Sequence, residues 1–236
     1  MEKSIEKLNY LFNKYHISVE DANKILEVIN PFFKHPEFER RMKEPFLHHA
    51  DITLGEHILE DVIVTYLLGR KYQRKGKKIN LSLALKIAIM HDLYTEPWQN
   101  SKIKHNYFFN KHGFTHPLEA VINAYCWYPE SFEDCKERKI LIDGILHHMY
   151  PLPVRRFILS KLELNNIYLI TKLPNEIQED IQKSLNRGKI FSISLSKSKY
   201  FEGRIISKAD KKVSLRQIKN FYSFWALFTG KNKSIK

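Results

Sequence analysis

The residue pair His91-Asp92 follows an apolar, helix-like stretch and carries side chains suited to metal chemistry. A neutral imidazole and a carboxylate are ligands that divalent metals accept together, and a carboxylate can also bridge two ions. Further candidates lie in similar surroundings along the chain: His57, His116, His147, His148 and Asp210. In chain order these residues read H, HD, H, HH, D, and this pattern predicts a metal site.

Apolar residues recur at helical spacing through most of the chain, which predicts the helices that must position these side chains. Thr53 and Glu56 form a capping box, so a helix should begin there with His57 in its first turn. Apolar residues on nearly every side from 58 to 68 make this helix a buried, central one. A second helix should run from about Leu81 to His91-Asp92, and a third should lead into His147-His148. His116 should lie at a helix entrance, with Pro117 in the first helical position.

The flanking segments are predicted to be helical as well. Two helices should occupy residues 1–36, the second beginning near Ser18 or Asp21 and ending at Pro31. Within 154–202 we expect a helix that stops at Gly188 and one short strand over 190–195. The last core helix should begin near Gly203 and carry Asp210, and an aromatic helix should follow over 215–229. The whole chain, 1–236, is predicted to form one domain.

Composition restricts the function classes. The 236 residues hold 39 Lys and Arg against 26 Asp and Glu, a formal charge of +13 that favours anionic partners. A lysine-rich composition alone would give the same charge, so nucleic acid is only a further candidate partner. Cys126 and Cys135 are too few and too far apart for a disulfide framework or a CxxC motif. With no apolar leader and no long apolar run, we expect a cytoplasmic protein that does not enter a membrane.

The order and context of His57, His91-Asp92 and Asp210 resemble the HD-domain superfamily of metal-dependent phosphohydrolases. The stretches 48–57, 89–92, 112–117 and 147–152 are similar to a mostly uncharacterised bacterial branch of that superfamily. The resemblance covers roughly residues 37–215. It implies an all-α fold, an HD-domain helical bundle with a partly irregular insertion over 154–202 before the last core helix.

The resemblance also implies a ligand set. One divalent metal, Mn, Fe, Mg or Zn, would be bound by four residues: His57, His91, Asp92 and Asp210. In members with two ions, the HD aspartate bridges to a second ion held by later histidines, here His116 and either His147 or His148, of which His148 is favoured. Such a site would activate water for attack on phosphorus and polarise a phosphoryl oxygen.

Other residues have two interpretations each. Asp92 belongs to the catalytic set through its metal role, while Glu96 is either a proton shuttle or a solvated loop residue. His49 and His112 either contact phosphate when protonated or cap helices. Arg155 and Arg156 either clamp a substrate phosphate or form a solvated face. Glu56 and Asp61, on either side of His57, could orient its imidazole or a water molecule.

We therefore expect a phosphohydrolase that cleaves a phosphomonoester or phosphoanhydride, most plausibly in a nucleotide. The alternatives are an HD-fold di-iron oxygenase and a catalytically silent nucleotide- or nucleic-acid-binding module. The chain has no GYP signature after His148, which argues against cyclic-di-GMP as the substrate. It also has neither a GxxxxGK[ST] nor a GxGxxG loop, so an ATPase or a dinucleotide oxidoreductase is not expected.

Overall fold

The computed structural model describes residues 2–43, 46–49, 51–96, 108–156 and 173–217, without the side chains of His49 and Asn110. Helices dominate this part of the chain, which confirms the all-α fold class. The described α-helices are α1 (Glu2–Lys14), α2 (Val19–Ile29), α3 (Pro36–Arg41), α4 (Leu54–Arg74), α5 (Leu81–Met90), α6 (His112–Trp127), α7 (Cys135–Leu146), α8 (Asn175–Asn186) and α9 (Phe201–Gln217). Short 3-10 helices follow α2 (Asn30–Lys34), precede α6 (Phe108–Asn110) and precede α7 (Pro129–Phe132).

Helix α4 is the centre of the bundle. Its side chains are buried on almost every face from Leu54 to Tyr66, and it packs against α1, α3, α5 and α9. Thr53 caps its start as predicted: the Thr53 hydroxyl accepts from the Glu56 amide at 3.3 Å, and the Glu56 carboxylate accepts from the Thr53 amide at 3.0 Å. A central helix with a fixed start places residues near its first turns at a defined depth in the core.

One hydrophobic core joins residues from both ends of the described chain, from Leu8 on α1 to Val213 on α9. Helix α2 begins at the first of the two predicted positions, with Ser18 as its N-cap. The aromatic helix predicted at 215–229 lies mostly outside the described residues, as α9 is described to Gln217. A helix of the length and apolar character needed to pass through a bilayer is absent from the described part of the chain.

Two local predictions were wrong. Helix α6 begins at His112, so His116 and Pro117 lie inside it and not at its entrance. One turn can form ahead of a proline because the proline removes a single helical hydrogen bond. The strand expected over 190–195 is instead a tight hairpin of β4 (Lys189–Ile190) and β5 (Ile193–Ser194). Phe191 turns the chain there with a φ of 47°, which residue alternation alone does not reveal.

Strands are a minor part of the described fold. Strand β1 (Leu47–His49) pairs antiparallel with β2 (Ile52–Thr53) directly before α4. Strand β3 (Val154–Arg155) pairs antiparallel with β5, so the sheet order is β3-β5-β4. The first hairpin lies next to the start of α4, and the second packs beside α8, so both lie near the predicted site residues.

Candidate metal centre

Five elements bring the predicted ligands together in the core. His57 and Asp61 lie one turn apart on α4, while His91 is the C-cap of α5 and Asp92 follows it. The remaining members are His116 on α6, His148 after α7 and Asp210 on α9. All seven side chains are buried, although each is polar and requires a hydrogen-bond partner or a counter-charge.

The first ligand set surrounds the Nε2 atom of His57. This atom lies 3.0 Å from Asp61 Oδ2, 3.5 Å from Asp210 Oδ1 and 3.8 Å from Asp92 Oδ2. His91 Nε2 approaches the same carboxylates, at 3.3 Å from Asp61 Oδ2 and 3.6 Å from Asp92 Oδ2. Ligands about 2.1 Å from a shared metal ion lie roughly 3.0–3.4 Å apart. Asp61 Oδ2 is at that distance from both imidazoles, and the separations of Asp92 and Asp210, at 3.5–3.8 Å, are slightly longer, so these two carboxylates would move closer to bind the same ion.

The second ligand set lies on the other oxygen of Asp92. Asp92 Oδ1 is 3.2 Å from His116 Nε2 and 3.4 Å from His148 Nε2. The two imidazole nitrogens are themselves 3.1 Å apart. Asp92 therefore presents Oδ2 to one group of ligands and Oδ1 to another, which is the placement that a carboxylate bridging two ions would need.

All four imidazoles are anchored through their other nitrogen. The Nδ1 atoms of His91, His116 and His148 donate to the backbone carbonyls of Ala88, His112 and Ile145 at 2.7, 2.9 and 2.7 Å. His57 Nδ1 donates to the side-chain carbonyl of Gln217 at 2.9 Å. A neutral ring that donates from Nδ1 keeps a lone pair on Nε2, so every Nε2 in the cluster is prepared to bind a cation.

The charges of the buried cluster also indicate a metal site. The buried carboxylates of Asp61, Asp92 and Asp210 bring three negative charges into the core. Both oxygens of Asp61, Oδ1 of Asp92 and Nε2 of His91 are buried and receive no hydrogen bond from the described residues. Facing lone pairs and carboxylates repel one another unless protons or metal ions lie among them. The donor set therefore fits divalent metal ions.

The pKa values of the clustered histidines and aspartates are shifted by the same facing charges. Burial by itself lowers the pKa of His57 and of His91, but the carboxylates of Asp61, Asp92 and Asp210 outweigh it. The pKa of His57 is raised well above its usual value, and that of His91 is raised to about 9. Burial opposes ionisation of Asp210, but the facing imidazoles hold its pKa at about 2. Protons and metal ions would therefore compete for the nitrogens of His57 and His91.

His147 lies outside this cluster. Its Nε2 atom lies 3.1 Å from the hydroxyl of Ser184, which itself donates to Asp143 at 2.8 Å. The Ser196 hydroxyl lies 3.3 Å from His147 Nδ1. Of the two adjacent histidines, the structure therefore brings only His148 to Asp92, because the chain turns after α7 and the two rings point to opposite sides.

The predicted substrate contacts have different surroundings. Arg156 is buried and supports the β4-β5 hairpin, with Nη1 donating to the Phe191 carbonyl at 3.0 Å and Nη2 to Asn186 Oδ1 at 2.6 Å. Arg155 is also buried, so neither arginine forms the solvated face considered above. Glu96 is exposed. The side chain of His49 lies outside the described residues.

His112 and His48 form the half-buried edge of the cluster. The His112 ring stacks on His116 with centroids 4.9 Å apart. The His48 ring stacks on His57 at 4.0 Å, and its Nδ1 lies 3.3 Å from the Tyr94 hydroxyl. One nitrogen of His48 also falls within 4.8 Å of ligand atoms of His57 and Asp92. These rings are the accessible members next to a buried ligand set.

Sequence reasoning underestimated or missed several residues. Asp61 was considered only for orienting His57, but its carboxylate faces Nε2 of both His57 and His91 and so belongs with the ligands. Its spacing of four residues from His57 was the available signal. Glu56 caps α4 and pairs with Lys7 at 2.7 Å. His48 lies in the stretch 48–57 but was given no role, and Tyr94 and Gln217 belong to no motif, because the roles of all three come from contacts distant in sequence.

No protein-family model matches the chain, and neither curated proteins nor solved structures provide a match. The family assignment therefore stays a prediction from the residues quoted above.

Proposed function

We propose that this chain is a metal-dependent phosphohydrolase of the HD-domain type, with two divalent ions bound on either side of Asp92. The observation that carries the proposal is the position of the Asp92 carboxylate, between two imidazoles on Oδ2 and two on Oδ1. The first ion would be held by His57, Asp61, His91, Asp92 and Asp210. The second would be held by Asp92, His116 and His148.

Divalent ions bound there supply Lewis acidity to a water molecule and to a phosphoryl oxygen. The protein's own contribution is preorganisation: each imidazole is fixed through Nδ1, so ligand geometry does not have to reorganise during reaction. The surrounding core excludes bulk water from Asp61 and His91, which strengthens electrostatic interactions in the site. These features suit attack of water on an electrophilic phosphorus.

Substrate would approach from the side of His48 and His112. Both rings are half-buried, whereas the ligand imidazoles behind them are buried. An imidazole at such an edge can donate a hydrogen bond to a phosphate oxygen, with or without a net charge. The formal charge of +13 would attract an anionic substrate, and a nucleotide remains the proposed class.

The test is metal content followed by product release. Purified protein, stripped with chelator and reloaded separately with Mn²⁺, Fe²⁺, Zn²⁺ and Mg²⁺, should bind two ions per chain. It should then hydrolyse at least one member of a panel of phosphomonoesters, nucleoside mono-, di- and triphosphates and cyclic nucleotides. Asp92→Ala should abolish both binding and turnover. Asp21→Asn removes the charge of the group that accepts from the Tyr66 hydroxyl, away from the ligands on α4, and should leave both intact.

Other outcomes separate the alternatives. Oxygen consumption with an iron-linked absorbance, without phosphate release, would identify a di-iron oxygenase. Two bound ions without any turnover would instead favour a silent binding module. Wild-type protein that binds none of these ions would refute the metal centre itself.

A second candidate, nucleic-acid binding, is favoured by one basic surface. Residues 62–91 contain seven Lys or Arg and no Asp or Glu. Six of these cations are exposed at the end of α4 and in the loop after it: Arg70, Lys71, Arg74, Lys75, Lys77 and Lys78. None of the six forms an ion pair with a described residue. On α9, Lys208 reaches the same end, where its Nζ donates to the Tyr72 hydroxyl at 2.8 Å.

Salt-dependent binding tests this surface. Fluorescence anisotropy with labelled RNA and duplex DNA should give an affinity that falls as salt rises, with a slope of about −0.9 per phosphate neutralised on a duplex. Reversing Lys71, Arg74, Lys75 and Lys78 to Glu should flatten that slope. Reversing four exposed cations elsewhere, Lys3, Lys34, Lys136 and Lys139, changes the net charge equally. Equal losses in both variants would show that net charge alone is responsible.

A further inference from the structure

The neighbours of His57 on its Nδ1 side form a chain of buried polar groups. Gln217, near the end of α9, accepts from His57 Nδ1 through Oε1 at 2.9 Å and donates through Nε2 to Glu60 Oε2 at 2.8 Å. Gln217 and Glu60 are both buried. The other three cluster histidines donate to backbone carbonyls, which are fixed acceptors. His57 instead donates to a side-chain amide, and rotation of that amide would exchange its oxygen for its NH₂ group.

The other carboxylate oxygen of Glu60, Oε1, contacts two residues at the end of the N-terminal helix. Lys14 Nζ lies 2.8 Å from Glu60 Oε1, and the Tyr15 hydroxyl donates to the same oxygen. Arg216, next to Gln217, in turn donates to the Tyr15 hydroxyl at 2.7 Å. Helices α1, α4 and α9 therefore meet at this chain of contacts.

The direction of each hydrogen bond follows from what each group can do. A carboxylate accepts only, so the Gln217 amide nitrogen must face Glu60. The amide oxygen then faces His57, so Nδ1 of a neutral ring must carry the proton. The Nε2 lone pair is consequently left for the ligand cluster. Reversing any one link would move the His57 proton onto Nε2, where a metal ion would otherwise bind.

We propose that Gln217 and Glu60 are positioning residues that select the metal-binding tautomer of His57. Lys14, the last residue of α1, and the following Tyr15 hold Glu60 in the orientation this requires. The proposal rests on the metal centre proposed above. It assigns a role in metal affinity to the N-terminal helix, which supplies no ligand itself.

Exchanging the two residues tests the direction of the chain. In Glu60→Gln, Lys14 and Tyr15 should retain the new amide oxygen, so its NH₂ group faces Gln217. Gln217 would then turn its oxygen toward residue 60 and its own NH₂ toward His57, favouring the wrong tautomer. In Gln217→Glu, two carboxylates would face each other with no donor between them, so the side chain at 217 should turn away from Glu60 and leave His57 Nδ1 without its acceptor.

The double variant Glu60→Gln/Gln217→Glu should restore the chain. The carboxylate at 217 would accept both from the amide at 60 and from His57 Nδ1, so Nε2 would again be available. We expect each single variant to weaken binding of the first Zn²⁺ ion by roughly 10- to 100-fold. The double variant should return to within a few-fold of wild type. A merely structural role predicts that the two losses accumulate.

Zn²⁺ affinity is measured at one fixed pH by competition with a chromophoric chelator, and circular dichroism checks folding. Asp21→Asn is the matched control, since it disturbs a hydrogen bond to α4 away from the cluster. Single variants that keep wild-type affinity, or a folded double variant that is not restored, would overturn the proposal while leaving the metal centre standing. If Gln217→Glu fails to fold, the isosteric Glu60→Gln decides alone. Wild-type protein without Zn²⁺ affinity would instead refute the metal centre on which this proposal depends.

Discussion

Two buried clusters of histidine and aspartate lie close together in this molecule, and they differ in what completes them. Asp143 on α7 accepts from the hydroxyls of Ser184 and Ser198 at 2.8 and 2.7 Å, from the Lys199 amide at 2.8 Å, and from Arg187. Protein donors therefore satisfy this carboxylate. Asp61 and Asp92, in contrast, have buried oxygens that receive no hydrogen bond from the described residues.

The adjacent pair His147 and His148 divides between the two clusters. His148 donates from Nδ1 to the Ile145 carbonyl and keeps its Nε2 lone pair toward Asp92. His147 has the opposite tautomer available, because the Ser184 hydroxyl already donates to Asp143 and so accepts from His147 Nε2. A buried carboxylate with protein donors is structural, whereas one surrounded by lone pairs needs cations.

The largest effect is expected at Asp92. Asp92→Asn keeps the side-chain shape but removes the charge shared by the two ligand sets. We expect metal affinity to fall by more than the roughly 100-fold that the loss of an outer hydrogen-bond partner can cost. Isothermal calorimetry measures the affinity and circular dichroism checks folding, and a folded variant that keeps wild-type metal affinity would contradict the distinction.

Asp143 should show the reverse behaviour. Asp143→Ala leaves Ser184, Ser198 and the Lys199 amide without their acceptor, so we expect a loss of about 3 kcal/mol in unfolding free energy. Metal stoichiometry of the folded fraction should be unchanged. Urea unfolding with and without Zn²⁺ checks both statements. Loss of metal from a folded Asp143→Ala protein would mean that the two clusters are not separable.

The adjacent histidines provide a matched pair of substitutions. His148→Gln should reduce the bound metal from two ions to one, because the second set loses one of its two imidazoles. His147→Gln should keep both ions and lower the unfolding free energy by about 1 kcal/mol, the typical value of one hydrogen bond. Metal analysis after gel filtration distinguishes them. Equal metal loss in both variants would argue against the assignment of His147 to the Asp143 cluster.

The smallest predicted effect is a pH dependence confined to the metal cluster. With its pKa raised to about 9, His91 stabilises the metal-free fold fully below its unfolded value near 6.5, and this contribution is lost as pH rises through about 9. Metal must displace that proton, so affinity should increase over the same range. Burial chiefly lowers the pKa of His147 to about 4, so His147 should not titrate in this range.

Calorimetry in buffers of different ionisation enthalpy measures this proton release directly. Zn²⁺ binding near neutral pH should release about one to two protons from wild-type protein. His147→Gln should release the same number. Metal binding without proton release would show that the cluster holds no protons in the absence of metal.

The amino-acid sequence by itself determined most of the helical elements and six of the residues that meet in the candidate metal centre. Apolar periodicity and the Thr53–Glu56 capping box depend on residues within a few turns of one another, so the α4 start and the ends of α2 and α5 could be predicted. The predicted residues His57, His91, Asp92, His116, His148 and Asp210 do lie together in the structure.

Only the tertiary structure decided how these residues are used. Asp61 faces two imidazoles, His147 turns away from Asp92, and Arg156 supports a hairpin, because each depends on a neighbour contributed by another element. The same holds for Gln217 and Glu60, 157 positions apart in the chain. Local patterns select residue type and helix face, but the direction of a buried hydrogen bond is set by whichever donor or acceptor the fold places opposite it.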